Sequence, residues 1–434
     1  MVTALIIVFV IGYTAIALEH SLDINKSATA LVTGVVCWTI YAVLSGVPPI
    51  EVEHSLMKPI GEIANILFFL LAAMTIVELV DAHRGFQIVT EKITTTNPTK
   101  LLWIVGLLSF FLSAVLDNLT TTIVMVSILR KLIQQRETRL YFVSLVVISA
   151  NAGGAFSPIG DVTTTMLWMK GQITAWNIIR ELFIPSLLCL IVPIVAMNFA
   201  IRKMPIGSGT SNQENLSDEA NEHSHPYHIS RGRRNLVFIA GIVALLLVPV
   251  YKTVTHLPPS MGILLNLGIL WIITELIHRG EERAVRDPVS VVNVIRRIDV
   301  PSVLFFLGIL LAVASLEVTG ILHHLAQYLD QSVGNIKGIA ILLGLMSAVI
   351  DNVPLVAAAQ GMYTLVQYPP DNELWELIAY CAGTGGSCLI IGSAAGVAAM
   401  GMERIDFIWY AKKISWIALL GYFAGVIWFL LVPH

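Results

Sequence analysis

A six-residue motif that ends in Asp-Asn occurs twice in this chain, each time within apolar sequence. The first copy is Ser113-Ala-Val-Leu-Asp-Asn118, and the second is Ser347-Ala-Val-Ile-Asp-Asn352. A carboxylate inside a membrane-spanning segment costs free energy, so it is functional by default. The same costly pair in each half of a chain is typical of a duplicated membrane transporter, which handles ions where its halves meet.

Composition places the chain in a lipid bilayer. Of its 434 residues, 56% are hydrophobic and 13% are charged, whereas a soluble domain carries about 25% charged residues. The mean hydropathy is +0.79. The four cysteines all lie in apolar segments without pairing or metal-ligand spacing, so we interpret them as buried thiols. The chain is therefore predicted to be an all-α polytopic membrane protein with no cofactor and no nucleic-acid partner.

Apolar runs predict where the chain crosses the bilayer. Runs of about 20 residues span its hydrocarbon core, and eight occur, at 3–18, 27–45, 60–80, 178–200, 235–252, 261–279, 301–318 and 413–432. Two further crossings, 140–170 and 375–400, are interrupted by glycine-rich stretches at 151–161 and 383–393. Such breaks should line a polar cavity, because hydrocarbon cannot satisfy the freed backbone groups.

The segments around the two Asp-Asn pairs are predicted to be re-entrant hairpins. Apolar arms at 101–116 and 119–133 flank the first pair, and 338–367 contains the second. Each half then has five crossings, one of them interrupted, and one hairpin. Because five is odd, the halves lie in opposite orientations, as two inverted-topology repeats.

Charge distribution predicts the orientation. With the N-terminus outside, 21 of the 26 basic residues fall on the cytoplasmic side and 5 on the external side, as the positive-inside rule requires. The predicted organisation is a first transmembrane repeat at 1–200, a cytoplasmic linker at 201–234 and a second, inverted repeat at 235–434. The expected location is the inner (plasma) membrane.

The acidic residues indicate the class of substrate. Those at predicted membrane depth are Glu78, Asp117, Asp161, Glu275, Glu317 and Asp351, and no Lys or Arg falls at the centre of a predicted crossing. Uncompensated carboxylates favour a cation or a proton over an anion. The oxygens of Asp, Asn, Ser and Thr are hard donors that suit small alkali cations. A carboxylate that binds either sodium or a proton provides the competition that an exchanger needs.

Each candidate residue also has a structural interpretation. Asp117 and Asp351 could cap the second helix of a hairpin. Asp161 could cap a helix that begins at Val162, and capping does not exclude binding an ion. Threonines in helices often donate to the preceding turn. Ser393 stands where the first half has Asp161, so the two halves should have unequal sites.

The motifs carry a family resemblance that covers essentially the whole chain. Residues 113–122 and 347–354 contain the Asp-Asn pairs, and 151–164 and 384–393 contain the glycine-rich interruptions. In this order they resemble the NhaD-type sodium/proton antiporters of the ion transporter superfamily. The resemblance implies exchange of sodium or lithium for protons, a two-repeat fold and a homodimer.

The resemblance also implies which residues bind the cation or the proton. The family's polar positions correspond to Asp117, Asn118, Asn151, Asp161, Thr163, Thr164, Ser347, Asp351, Asn352, Ser387 and Ser393. Sodium or lithium is expected at Asp117, Asn118, Asp161, Asp351 and Asn352.

The predicted function is that of a secondary active transporter, not an enzyme. It would exchange cytoplasmic sodium or lithium for external protons through aspartates that bind cation and proton in competition. The alternative is a sodium-coupled carrier of a dicarboxylate or another anion. An intramembrane aspartyl protease is disfavoured, because the sequence before Asp161 is Pro158-Ile-Gly and lacks the first glycine of a Gly-x-Gly-Asp site.

Overall fold

A computed structural model describes residues 1–17, 19–90, 95, 97–202 and 230–432 as α-helices and short connections, with no strand among them. The helices of the first half are α1 (Val2–Ala17), α2 (Glu19–Leu22), α3 (Lys26–Leu44), α4 (Pro49–Ala82), α5 (Gln87–Thr90), α6 (Pro98–Leu116), α7 (Asn118–Leu132), α8 (Arg136–Ala155), α9 (Val162–Met169) and α10 (Ala175–Ile201). Those of the second half are α11 (Arg231–Thr255), α12 (Pro259–Ile277), α13 (Arg283–Arg286), α14 (Val291–Ile295), α15 (Val300–Val318), α16 (Ile321–Val333), α17 (Ile336–Met346), α18 (Asn352–Met362), α19 (Glu373–Gly385), α20 (Ala394–Glu403), α21 (Phe407–Lys413) and α22 (Ser415–Leu431).

Long apolar helices confirm the polytopic membrane fold. Seven helices in the described part of the chain are long and apolar enough to cross a bilayer. An eighth span results if α21 and α22, which are bent by 52° at their junction, count as one. The helix α4 has 34 residues and begins well before the predicted crossing at 60–80. Its first turns carry Glu51, Glu53 and Lys58, so a hydropathy criterion does not detect the N-terminal part of the helix.

Both Asp-Asn pairs lie at helix breaks, as predicted. The helix α6 ends immediately before Asp117, and α7 begins immediately after it. In the second copy, α17 ends at Met346 and α18 begins just after Asp351. Each break therefore places an aspartate at the N-terminus of a helix, where backbone N–H groups are available.

The interrupted segments break later than the sequence predicted. Helix α8 continues through Gly153 and Gly154 to Ala155, and α19 continues to Gly385. Glycine occupies these helical positions because a neighbouring helix lies too close for a side chain. A Cβ at Gly153 would lie 2.1 Å from the carbonyl oxygen of Phe110, and one at Gly385 would lie 2.0 Å from that of Gly344.

Helices from both halves of the sequence combine in two bundles. One bundle contains α1, α3, α4, α11, α12 and α15. The other, which we call the site bundle, contains α6 to α10 and α17 to α22. The bundles meet mainly where α18 packs on α15 and where α9 packs on α4. All the broken segments belong to the site bundle, which brings their polar residues together.

Most of the predicted linker at 201–234 lies outside the described residues. At its edges the structure is helical, since α10 extends to Ile201 and α11 begins at Arg231.

Candidate functional site

Asp161 is the centre of a buried polar network. It lies at the N-terminus of α9, and its side chain is 2% exposed. Its Oδ1 accepts hydrogen bonds from the backbone N–H of Thr163 at 2.9 Å and from Thr163 Oγ1 at 2.8 Å. Asn118 donates through Nδ2 to Oδ2 at 2.7 Å. Asn352 donates through Nδ2 to the same oxygen at 3.3 Å. Asp161 therefore joins the two Asp-Asn motifs.

Asn151 extends this network to the second interrupted segment. Its Oδ1 accepts a second hydrogen bond from Asn118 Nδ2 at 3.0 Å, and its own Nδ2 donates to Ser393 Oγ at 2.9 Å. Ser393 caps α20 by accepting from the N–H of Gly396 at 3.2 Å. Five helices, α7, α8, α9, α18 and α20, thus contribute to one cluster or lie directly beside it. We predicted that the two halves of the sequence meet at these motifs, and these hydrogen bonds connect residues of both halves.

Asp117 caps α7 with both carboxylate oxygens. Oδ1 accepts from the N–H of Thr120 at 2.7 Å, and Oδ2 accepts from Thr120 Oγ1 at 2.9 Å. Its φ of 118° lies where residues with a Cβ are rarely found, at a cost of roughly 1–3 kcal/mol. Backbone strain of this kind clusters at functional sites.

Asp351 has a basic partner that the sequence analysis missed. Lys26 Nζ lies 3.5 Å from Asp351 Oδ2, and the other carboxylate oxygen caps α18 by accepting from the N–H of Val353 at 3.2 Å. The prediction that the carboxylates are uncompensated is therefore wrong at Asp351. Lys26 begins α3, and a hydropathy criterion assigns such a terminal lysine to a loop. The sequence signal for this role was that Lys26 lies directly before an apolar run.

The remaining predicted hydroxyl groups donate to backbone carbonyl oxygens. Ser347 Oγ donates to Ala382 at 2.8 Å, Ser387 Oγ to Thr384 at 2.6 Å and Thr164 Oγ1 to Asp161 at 2.9 Å. A hydroxyl that donates a hydrogen bond to a carbonyl still has its own oxygen lone pairs available. These bonds are therefore compatible with a role in ligating a cation, but the structure does not place these three hydroxyls in the Asp161 network.

The three glutamates at predicted membrane depth lie apart from the network. Glu275 pairs with Arg286, and an oxygen of Glu78 lies 3.9 Å from Arg297. Glu317 lines a cavity of about 250 Å³ between the two bundles.

Two cavities border helices or breaks that adjoin Asp161 or Asp351. The larger one also contacts Met166 of α9 and Gln360 of α18, helices that begin at Asp161 and Asp351 respectively. A smaller one, of about 50 Å³, reaches Asp351 itself and is lined by Tyr13, Glu19 and Lys26.

The chemistry of this cluster suits a small cation or a proton. Carboxylate, amide and hydroxyl oxygens are hard ligands. A carboxylate surrounded by amide N–H donors can exist without a bound cation, because the donors stabilise its charge. The same carboxylate can accept a proton or a metal ion when one arrives.

Known proteins that resemble this chain point to the same chemistry. The family described as citrate transporter matches residues 6–382. Sodium/proton antiporter 1 of Arabidopsis thaliana is 50% identical over 432 residues, which cover 99% of this chain and 72% of that protein. Sodium/proton antiporter 2 of the same plant is 47% identical, with 99% of both chains covered. The Na(+)/H(+) antiporter NhaD of Vibrio cholerae is 30% identical, with 99% of this chain and 92% of that protein covered. The chain belongs to the NhaD-type sodium/proton antiporters, within the broader citrate transporter family.

Proposed function

We propose that this protein exchanges cytoplasmic sodium or lithium for external protons, with Asp161 as the central carboxylate. The observation that carries the proposal is the convergence of Asn118 and Asn352, one from each Asp-Asn motif, on this buried side chain. Because this carboxylate contacts side chains from both halves of the sequence, it can bind an ion when either half moves relative to the other. Sodium and a proton then compete for it, and their competition couples the two fluxes.

The amide side chains give the site two states. In the structure, Asn118 and Asn352 point N–H groups at Asp161. A half-turn of an amide about its terminal bond replaces the NH₂ group by the carbonyl oxygen, which is a cation ligand. The amides would therefore stabilise the bare carboxylate in one orientation and coordinate sodium, together with that carboxylate, in the other. Asp117 and Asp351, with the hydroxyls of Thr163, Thr164, Ser347, Ser387 and Ser393, are proposed to complete the cation and proton site.

A cation is a better substrate for this site than an anion. The side chains that hydrogen-bond Asp161 in the described structure are neutral, and the group at the centre is itself an anion. A dicarboxylate would meet repulsion there, although the broader family takes its name from citrate. The relatives that this chain matches over nearly its whole length carry sodium/proton antiporter names. Transport without covalent chemistry is therefore the proposed activity.

Matched contacts support the proposed inverted repeats and hairpins. Ser113 Oγ donates to the carbonyl of Ala150 at 2.6 Å, and Ser347 Oγ donates to that of Ala382 at 2.8 Å. These residues occupy equivalent positions in the two copies. We propose repeats at 1–200 and 235–434 with a cytoplasmic linker at 201–234, an external N-terminus, an inner-membrane location and a homodimer.

The two cavities fit access from opposite sides of the membrane. The smaller cavity at Asp351 contains Lys26, which lies on the cytoplasmic side in the proposed orientation. The larger one contains Lys58 and Lys170, which lie on the external side. Helices that contribute to the Asp161 network line each cavity. The helices α9 and α18 line the larger one, and α20 lines the smaller one.

Proton movement in inside-out vesicles tests the function. A pH-sensitive dye reports exchange after addition of sodium, lithium, potassium or citrate. We expect dequenching with sodium or lithium, and its loss in Asp161→Asn at unchanged expression. Asp406→Asn, at an exposed helix cap, is the matched control and should retain exchange. Citrate uptake that requires sodium, without cation-driven proton movement, would overturn the proposal.

A further inference from the structure

Lys26 and Asp351 form an ion pair that can be broken. The 3.5 Å between Lys26 Nζ and Asp351 Oδ2 exceeds the 2.7–2.9 Å that is usual for a strong charge-assisted hydrogen bond. The side chains are 20% and 13% exposed. The ammonium also lies 4.5 Å from the centre of the Phe305 ring. A second, cation–π contact of this kind can hold the ammonium when the carboxylate takes another partner.

The surroundings of the pair allow a cation to reach it. The pair borders the cavity of about 50 Å³, to which Tyr13 and Glu19 also contribute. Glu19 accepts a hydrogen bond from the backbone N–H of Lys26 at 3.0 Å, so it positions the start of α3. The Asp351 oxygen that faces Lys26 is not the one that caps α18, so losing the lysine leaves the cap intact.

We propose that Lys26 is a built-in competitor, which neutralises Asp351 when no transported cation is bound and is displaced when sodium binds. A bare carboxylate in a largely apolar setting is costly, and the ammonium lowers that cost between transport cycles. Sodium has to displace the lysine, whose flexible four-carbon stem allows it to withdraw. The pair therefore raises the sodium concentration at which exchange is half-maximal. This inference rests on the proposed function, because it assigns Lys26 a positioning role at that same site.

The sodium dependence of exchange in Lys26 variants tests this role. Lys26→Gln removes the charge, so the KM for sodium should fall by about two- to fivefold, toward the upper end of the range expected for a partly exposed ion pair. Lys26→Arg keeps the charge, so its KM should stay close to that of the unmodified protein. Lys337→Gln breaks an exposed pair with Glu373 and is the matched control, with an unchanged KM.

Chemical restoration of the charge provides a second measurement. Lys26→Cys should have a lowered KM, and labelling with 2-aminoethyl methanethiosulfonate should raise it again by restoring an ammonium group. The inference is overturned by a KM that is unchanged or raised in Lys26→Gln. A loss of exchange in Lys26→Gln that Lys26→Arg shares equally would also overturn it. Absence of sodium-driven proton movement in the unmodified protein would contradict the proposed function itself, so the two failures are distinguishable.

Discussion

The two Asp-Asn motifs share their backbone contacts and differ in their charges. In both copies the interrupted helix approaches its neighbour at a glycine, and the motif serine bonds to a carbonyl of that helix. The ionisable groups are distributed unequally. The first half has Asp161 where the second has Ser393. Asp117 has a φ of 118°, whereas Asp351 has a φ of −46° and a lysine partner.

This comparison separates the features that both motif copies share from those that differ. In both copies the close contact between helices requires a glycine, which has no side chain, and a serine hydroxyl that donates a hydrogen bond. Both copies therefore have these two residue types. The polar network needs only one carboxylate at its centre. A second one opposite Asp161 would place like charges together, which is costly in low dielectric. The serine at position 393 instead supplies a neutral oxygen, which binds Asn151.

The largest expected effect comes from making the halves alike at the central position. Asp161→Ser gives the first half the residue of the second, and it removes the only carboxylate that both asparagines contact in the described structure. Exchange in vesicles should fall more than about 100-fold, since an interaction with a buried charge is lost. Ser393→Ala removes a helix cap and one hydrogen bond, so a decrease of about tenfold or less is expected. Equal losses in the two variants would contradict the assigned asymmetry.

The glycine contacts should instead respond equally in the two halves. In Gly153→Ala or Gly385→Ala the new Cβ would lie 2.1 or 2.0 Å from a backbone oxygen. Backbone cannot rotate away, so we expect losses of about 3 kcal/mol or more in the free energy of unfolding, at or above the usual range for overpacking. Thermal unfolding in detergent measures both losses.

A glycine in open space is the control for that comparison. Gly268 lies within α12 and has no other atom within 4 Å of its ideal Cβ. Gly268→Ala should leave stability unchanged or raise it by up to about 1 kcal/mol, because alanine is the better helix former. A large loss in only one of the two packed variants would show that the copies are not equivalent.

The hydrogen bonds to Asp161 predict a smaller difference between the motifs. Asn118 binds at 2.7 Å and Asn352 at 3.3 Å. In the proposed site the amide of Asn118 also ligates sodium through its carbonyl oxygen, so Asn118→Ala should reduce kcat/KM for sodium by about 10- to 100-fold. The longer bond predicts a decrease of about tenfold or less in Asn352→Ala. The reverse order, measured by dye dequenching across sodium concentrations, would show that the second motif dominates binding.

The sequence predicted local chemistry well and long-range pairing poorly. The breaks at Asp117 and Asp351 could be foreseen because a polar pair within apolar sequence cannot continue a lipid-facing helix. The capping of α9 by Asp161 was one of the two roles that the sequence suggested for this residue. The pair between Lys26 and Asp351 joins residues 325 positions apart, and no local pattern encodes such a contact. The helix α8 continues to Ala155 and packs on α6 at Gly153, and such close packing is a tertiary property.

One contact between the halves lies away from the aspartates and should affect stability without changing exchange. His83 follows the end of α4, and its Nε2 lies 3.1 Å from Nε2 of His278, which follows the end of α12. Burial, opposed by a hydrogen bond to Leu79, lowers the pKa of His83 from 6.5 to about 4. The unfolded chain therefore takes up a proton here that the folded chain does not. The resulting loss of stability grows as the pH falls from about 6.5 to about 4 and reaches at most roughly 3 kcal/mol.

Replacing His83 isolates this effect from ion binding. His83→Gln keeps a polar group but cannot titrate, so its unfolding temperature should change less between pH 7 and pH 4.5 than that of the unmodified protein. Exchange at neutral pH should persist, because His83 is fully buried at the end of α4 and outside the network around Asp161. An identical pH dependence in the two proteins would exclude His83 as its source. Together with the loss expected in Asp161→Ser, retained exchange would show that contact between the halves stabilises the fold at one place and binds the ion at another.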